Sequence, residues 1–145
     1  MHPKPTRAVV KSLAESALGR TVLGVGTDIV EVARIRGALE RHGDRFLHRL
    51  YTDEEIAYCQ KQRDPHPFLA ARFAAKEAAS KAFGTGIARG FGWKTFSVTH
   101  DEHGAPIAVF DEAGQKLLAE RGATGVLISL SHTTTLGHAV ALLVK

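Results

Sequence analysis

The chain has 145 residues, a length typical of one domain that leaves little room for a second. Apolar residues make up 44% of it and charged residues 23%, which excludes a disordered, collagen-like or coiled-coil chain. The net charge of +4 favours an acidic or phosphorylated partner. The longest apolar runs fall far short of the roughly 20 residues that span a bilayer, so we expect no membrane association. The single cysteine, Cys59, excludes a disulfide framework and a thiolate zinc site and fits a reducing cytoplasm.

Residues 1–20 are predicted to be an N-terminal extension that precedes one domain at residues 21–145. In the extension, apolar residues recur at helical spacing from Val10 and predict a short amphipathic helix that ends near Gly19. A mitochondrial-type presequence is the alternative interpretation, and Glu15 argues against it.

The domain contains strand-like and helix-like segments without regular βαβ alternation. Strands are predicted at residues 22–30, 93–99, 106–110, 125–131 and 138–144. Helices are predicted at residues 32–47, 52–62, 68–83 and 112–120. A capping-box pattern at Thr52 and Glu55 opens the second helix, and Asp111 caps the fourth. These segments predict an α+β fold with a largely antiparallel sheet.

The third helix carries the most information about function. At about 100° per residue, one half of its circumference holds a mixture of charged, polar and aromatic side chains: Arg72, Phe73, Lys76, Glu77, Ser80 and Lys81. The other half consists of alanines. We expect the polar half to face a cleft or partner and to bind a ligand with phosphate and ring groups. The alternative is a solvated face on which Glu77 and Lys81 form an ordinary ion pair.

A lone carboxylate among these cations would repel phosphate unless a metal lies between them, so Glu77 implies a second acid. Asp28 is the candidate, because Gly24, Gly26 and Asp28 share one face of a strand and the glycines leave room for a close approach. Two carboxylates suit Mg²⁺, which takes its other ligands from water and substrate phosphates. Alternatively, Asp28 caps the next helix. Glu31 either shares the metal or belongs to the first helical turn.

Polar residues also follow the strand at residues 125–131. Ser131, His132 and Thr133 are candidates to donate hydrogen bonds to a phosphate, although a histidine at a strand end is often structural. His100 and His103 flank a predicted hairpin turn and are interpreted as solvated loop residues.

Three segments, at residues 24–31, 72–86 and 128–133, resemble the holo-[acyl-carrier-protein] synthase family of small bacterial 4'-phosphopantetheinyl transferases. The resemblance extends over about residues 22–144 and implies the fold of that family, a mostly antiparallel sheet packed with helices. It implies transfer of 4'-phosphopantetheine from coenzyme A to a serine of an acyl carrier protein, with release of adenosine 3',5'-bisphosphate. It also implies a role in fatty acid and lipid biosynthesis, and a homotrimer with active sites at the protomer boundaries.

The resemblance assigns roles to the candidate residues. Asp28 and Glu77 match the acids that hold Mg²⁺ against the pyrophosphate. Glu77 also takes the serine proton, directly or through a water, and Lys81 offsets charge on the leaving phosphate. The candidates for contacts to coenzyme A phosphates are Arg72, Lys76, Ser80, Ser131 and His132, and those for walls around the ligand are Phe73 and Gly84.

The helix after Asp28 presents a ridge that contains Arg34, Arg41 and Arg45. The resemblance implies that acidic carrier proteins dock on this helix through Arg34 and Arg41. Two alternative functions remain open: a pantetheinyl transferase for a polyketide or peptide-synthetase carrier, and a non-enzymatic module that binds nucleotides or anions. The second does not explain two carboxylates among cations. Aromatic residues at 7% are also too few for base stacking, so we expect no nucleic-acid partner.

Overall fold

The computed structural model describes residues 21–145, so the predicted extension and its helix at residues 1–20 lie outside the described residues. The described elements, in chain order, are β1 (Val22–Glu31), α1 (Val32–His42), α2 (Asp44–Leu50), α3 (Asp53–Gln60), α4 (His66–Phe83), β2 (Phe96–His100), β3 (Pro106–Phe110), α5 (Glu112–Glu120), β4 (Gly125–His132) and β5 (Leu136–Val144). None of these helices is long and apolar enough to cross a membrane.

The strands form two antiparallel sheets. Three of them lie in the order β1-β5-β4, so that β1 and β4 are the edges, while β2 and β3 form a separate hairpin. In the larger sheet, Asp28 pairs with Ala139 of the central strand, and Ala139 pairs with Leu130 on the other side. The predicted α+β fold with a mostly antiparallel sheet is therefore confirmed.

Helix α4 packs directly on one face of the larger sheet, and glycines allow the close approach. A Cβ atom on Gly26 would collide with the carbonyl oxygen of Ala78, and one on Gly24 would collide with that of Ala82. On β5, a Cβ on Gly137 would lie 2.6 Å from the carbonyl carbon of Ala70. The space that the sequence indicates beside Asp28 is thus filled by the backbone of α4 rather than by a ligand.

The prediction of a single helix at residues 32–47 is wrong. Gly43 adopts a positive φ of 56°, which ends α1 at His42 and starts α2 at Asp44. Glycine adopts this conformation without steric cost, so the chain turns there. Arg45 consequently lies on α2 and does not continue the arginine ridge of α1.

Other local signals lead to the expected structure. Thr52 and Glu55 form a complete capping box at α3, and the Asp111 carboxylate accepts a hydrogen bond of 2.8 Å from the Gly114 N–H at the start of α5. Strand β2 begins only at Phe96, because the three residues before it form a turn.

Candidate active site

The structure brings Asp28, Glu77 and Lys81 together where β1 crosses α4. The Lys81 ammonium donates hydrogen bonds to the Asp28 carboxylate at 3.2 Å and to the backbone carbonyl of Thr27 at 3.0 Å. The side chains of Asp28 and Lys81 remain 20% and 51% exposed, so solvent and ligands can reach them. The alternative that Asp28 caps α1 is not supported, because the N-cap of that helix is Glu31 and no side chain caps it.

The environment of Glu77 makes its carboxyl a weaker acid than that of an exposed glutamate. Partial burial, and then the nearby negative charge of Asp28, raise the pKa of the Glu77 carboxyl, while Lys81 and Arg34 oppose the shift. A bound cation would relieve the repulsion between these two neighbouring carboxylates.

The donor set fits Mg²⁺. Mg²⁺ commonly binds through one or two carboxylates and keeps several waters or substrate oxygens, and Asp28 and Glu77 provide that number. Among residues 21–145 there is no group of three or more His, Cys, Asp or Glu side chains that would make a closed metal cage. An open site of this kind leaves coordination positions for a substrate phosphate.

A second polar site surrounds Arg72, which is only 2% exposed. Its guanidinium lies over the Tyr58 ring, 4.2 Å from the centroid, and donates to the Nε2 atom of His100 at 3.2 Å. Arg72 Nε is buried and has no hydrogen-bond partner. A cleft of about 180 Å³ opens beside it, and His132, whose ring lies 4.5 Å from that of Phe68, lines the same cleft.

These two sites occupy different sides of α4. Arg72 and Glu77 are five residues apart, which corresponds to about 7.5 Å along the helix axis and roughly 140° around it. Asp28 is on the edge strand β1, whereas His132 ends the opposite edge strand β4. Within one protomer the central strand β5 therefore separates Asp28 from His132, and Glu77 and Arg72 point to different sides of α4.

The structure contradicts the prediction that Lys76 and Ser80 contact a phosphate. The Lys76 side chain is fully buried and donates to Glu55 Oε1 and to the Phe96 carbonyl, both at 2.8 Å. Burial lowers the pKa of Lys76, and the Glu55 carboxylate opposes that shift. The Ser80 hydroxyl is also buried and donates to the Glu77 carbonyl at 2.7 Å. The middle of the polar half of α4 thus faces the protein interior.

The remaining candidates lie near one or other of the two sites or on the surface. The Phe73 ring stacks on Trp93 at 5.1 Å, and the Arg34 guanidinium lies 5.2 Å from the Phe73 centroid. Gly84 is exposed at the C-terminus of α4, and Ser131 is exposed near the end of β4. The remaining predicted docking arginines, Arg41 and Arg45, are exposed on α1 and α2.

Sequence reasoning misses Tyr58 and His100, which contact Arg72 across the cleft. His100 is interpreted as a solvated residue because it precedes a turn, yet it is half-buried and stacks on Tyr58 with 4.2 Å between the ring centroids. No spacing rule connects a strand end with a helix 28 residues earlier.

Comparisons with known proteins agree with this geometry. A model of the 4'-phosphopantetheinyl transferase superfamily matches residues 24–135. The holo-[acyl-carrier-protein] synthase of Pectobacterium carotovorum is 46% identical over 110 residues, which cover 76% of this chain and 87% of that protein. The crystal structure of the Neisseria meningitidis holo-[acyl-carrier-protein] synthase superposes with a TM-score of 0.80 at 35% identity, covering 86% of this chain and 100% of that one. That of the Helicobacter pylori synthase in complex with coenzyme A gives 0.73 at 27% identity, covering 82% and 98%.

The antiparallel fold, the acid pair and the family match define a member of the 4'-phosphopantetheinyl transferase superfamily. Within that superfamily the chain belongs to the holo-[acyl-carrier-protein] synthases, and it is an enzyme. The resemblance inferred from three sequence segments is confirmed.

Proposed function

We propose that the enzyme transfers 4'-phosphopantetheine from coenzyme A to a serine hydroxyl of an apo-acyl carrier protein, with Mg²⁺ and with release of adenosine 3',5'-bisphosphate. The convergence of Asp28, Glu77 and Lys81 at an open surface carries this proposal. Two carboxylates that fit Mg²⁺, beside one ammonium, match the needs of a phosphoryl transfer, which depends mainly on charge stabilisation and alignment.

Each of the three side chains has a distinct task. Mg²⁺ bound to Asp28 and Glu77 would neutralise charge on the pyrophosphate. Glu77 would also accept the serine proton, directly or through a water. Lys81, one turn along α4, places its ammonium beside the departing phosphate and offsets the charge that develops there.

Coenzyme A binding would use the cleft at Arg72. The lining of the cleft supports this assignment, because it contains the Arg72 guanidinium and no carboxylate, and guanidinium groups bind phosphate well. His132 lines the cleft and Ser131 lies beside it at the end of β4, while Phe73 and Gly84 remain the candidate walls nearer the acid pair. Lys76 and Ser80 are no longer candidates for contacts to coenzyme A, because their polar atoms are already hydrogen-bonded inside the protein.

Self-assembly, predicted as a homotrimer, would bring the separated half-sites together across protomer boundaries. The sheet face opposite α4 supports assembly, because Val25 and Ile29 are 63% and 62% exposed on it. Light scattering of the parent protein should return about three protomer masses. A Val25→Asp variant should lower that mass, whereas Val109→Asp, on the separate hairpin, should leave it unchanged.

The acyl carrier protein would dock on α1, where Arg34 and Arg41 are exposed and the partner is expected to be acidic. A role in fatty acid and lipid biosynthesis in the cytoplasm would follow from this reaction.

The decisive assay incubates the protein with coenzyme A, Mg²⁺ and an apo-acyl carrier protein and measures the phosphopantetheine mass increment. Asp28→Asn and Glu77→Gln should abolish the increment, and Glu40→Gln, an exposed acid on α1, should not. If only carriers from polyketide or peptide synthetases were modified, the enzyme would be a pantetheinyl transferase for those carriers. No increment on any carrier would refute the proposed reaction.

A further inference from the structure

A cluster of aromatic and cationic side chains on three elements surrounds the cleft at Arg72. Tyr58 comes from α3, Arg72 from α4 and His100 from the end of β2, and each contacts the other two. The guanidinium also donates to the Phe68 carbonyl one turn earlier on its own helix, at 3.4 Å. Three elements thus fix the plane of one guanidinium, although the acid pair lies on another side of α4.

The Arg72–His100 hydrogen bond determines the protonation of the histidine. Arginine has five N–H donors and no acceptor, so His100 Nε2 must be the acceptor and must carry no proton. Burial, and then the Arg72 charge, lower the pKa of His100, against the opposing effect of Asp101. The imidazole is therefore neutral near pH 7, as the geometry requires.

The cleft has the chemistry of an anion site. Among the described residues that line it, Arg72, His100 and His132 are ionisable nitrogen bases and none is a carboxylate. Its volume of about 180 Å³ is several times the roughly 30 Å³ of one water, so a phosphate group can enter. Phosphate oxygens are preferred acceptors of guanidinium N–H groups.

We propose that His100 is a positioning residue of this anion subsite: its unprotonated Nε2 holds the Arg72 guanidinium against Tyr58 at the wall of the cleft, where a phosphate can bind the guanidinium. This inference rests on the proposed function for its ligand, a phosphate of coenzyme A. His100 acts through Arg72 and not on the reacting atoms. Its loss should therefore change the affinity for the nucleotide and leave the chemical step intact.

The test compares two neutral amides at one position. The amide of glutamine can place its oxygen where Nε2 lies, whereas the shorter asparagine cannot reach Arg72. Binding of adenosine 3',5'-bisphosphate to the full-length protein is measured by titration calorimetry, with and without Mg²⁺. His100→Asn should bind about tenfold more weakly than the parent, or ~1.4 kcal/mol, and His100→Gln should stay within about twofold. His103→Asn, on the exposed hairpin turn, is the matched control and should bind like the parent.

Steady-state kinetics and a double-mutant cycle separate positioning from general damage to the fold. His100→Asn should raise KM for coenzyme A about tenfold, with kcat and KM for the carrier protein unchanged. In an Arg72→Met background it should have no additional effect, because the residue it positions is gone. The inference is overturned if His100→Asn binds like the parent, if His100→Gln is equally weak, or if the effect persists without Arg72. A parent that does not bind the bisphosphate also overturns it. A parent that binds the bisphosphate but modifies no carrier contradicts the proposed function alone.

Discussion

Replacement of Lys76 by methionine should destabilise the protein strongly, because it leaves the charge of Glu55 buried without a partner. Both side chains are fully inaccessible, and their contact is 2.8 Å. Removing one partner of such a pair typically costs ~3–5 kcal/mol. For a chain of this length the melting temperature should fall by roughly 10–20 °C. Urea unfolding measures the free energy and thermal unfolding the melting temperature, both at a fixed protomer concentration because assembly adds to apparent stability.

The remaining hydrogen bonds of Glu55 indicate which second substitution should restore stability. Its carboxylate also accepts the backbone N–H groups of Thr52 at 3.0 Å and Val98 at 3.1 Å. In Glu55→Gln/Lys76→Met the buried charge disappears while an amide oxygen still accepts one N–H, so about 2 kcal/mol should be regained. Glu54→Gln, exposed on the same helix, should change stability by less than about 0.5 kcal/mol. If Lys76→Met unfolded at the same urea concentration as the parent but raised KM for coenzyme A, the burial argument would be refuted. Lys76 would then be a phosphate ligand.

Three further substitutions or labels test other parts of the structure. Cys59 is fully buried and burial raises its pKa to about 11, so Ellman's reagent should not label it at pH 8 until guanidinium unfolds the chain. Arg41→Glu should raise KM for the carrier protein several-fold and leave kcat unchanged. Arg34→Glu should raise the same KM and also alter kcat, because the charge of Arg34 acts on Glu77. If both variants had the kinetics of the parent, docking on α1 would be excluded. Gly26→Ala should lower the free energy of unfolding in urea by at least ~2 kcal/mol, because the new Cβ would meet the backbone of α4, which cannot rotate away. An unchanged urea midpoint would contradict the close packing of α4.

Features that depend on neighbouring residues are predictable from the sequence. The capping box of Thr52 and Glu55 and the cap formed by Asp111 involve contacts over three residues, so the sequence pattern specifies both partners. The proximity of Asp28 to Glu77 is predictable for a different reason. Both lie in segments of a recognisable family, and the motif supplies the long-range contact that spacing alone does not.

The orientation of α4 is not predictable from its own sequence. A helix with charges on one half normally exposes that half, but Glu55, 21 residues earlier, neutralises Lys76 inside the protein. Glu55 is itself explained locally as a capping residue, so nothing in the sequence indicates a second partner. The same limitation hides the contact between His100 and Arg72, which exists only because β2 packs beside α4.

The consequence is that α4 presents Arg72 and Glu77 on different sides, and mixed oligomers can test whether one active site uses both. If each site combines Glu77 of one protomer with Arg72 of its neighbour, an equal mixture of Glu77→Gln and Arg72→Met protomers should regain about a quarter of the parent activity. Each of the two required residues is then intact with a probability of one half in a closed ring. A mixture of Glu77→Gln with Asp28→Asn should regain nothing, because both substitutions damage the same half-site. The mixtures are refolded together and assayed at a coenzyme A concentration at which each variant alone is inactive. Activity no higher than that of the separate variants would place the complete site within one protomer.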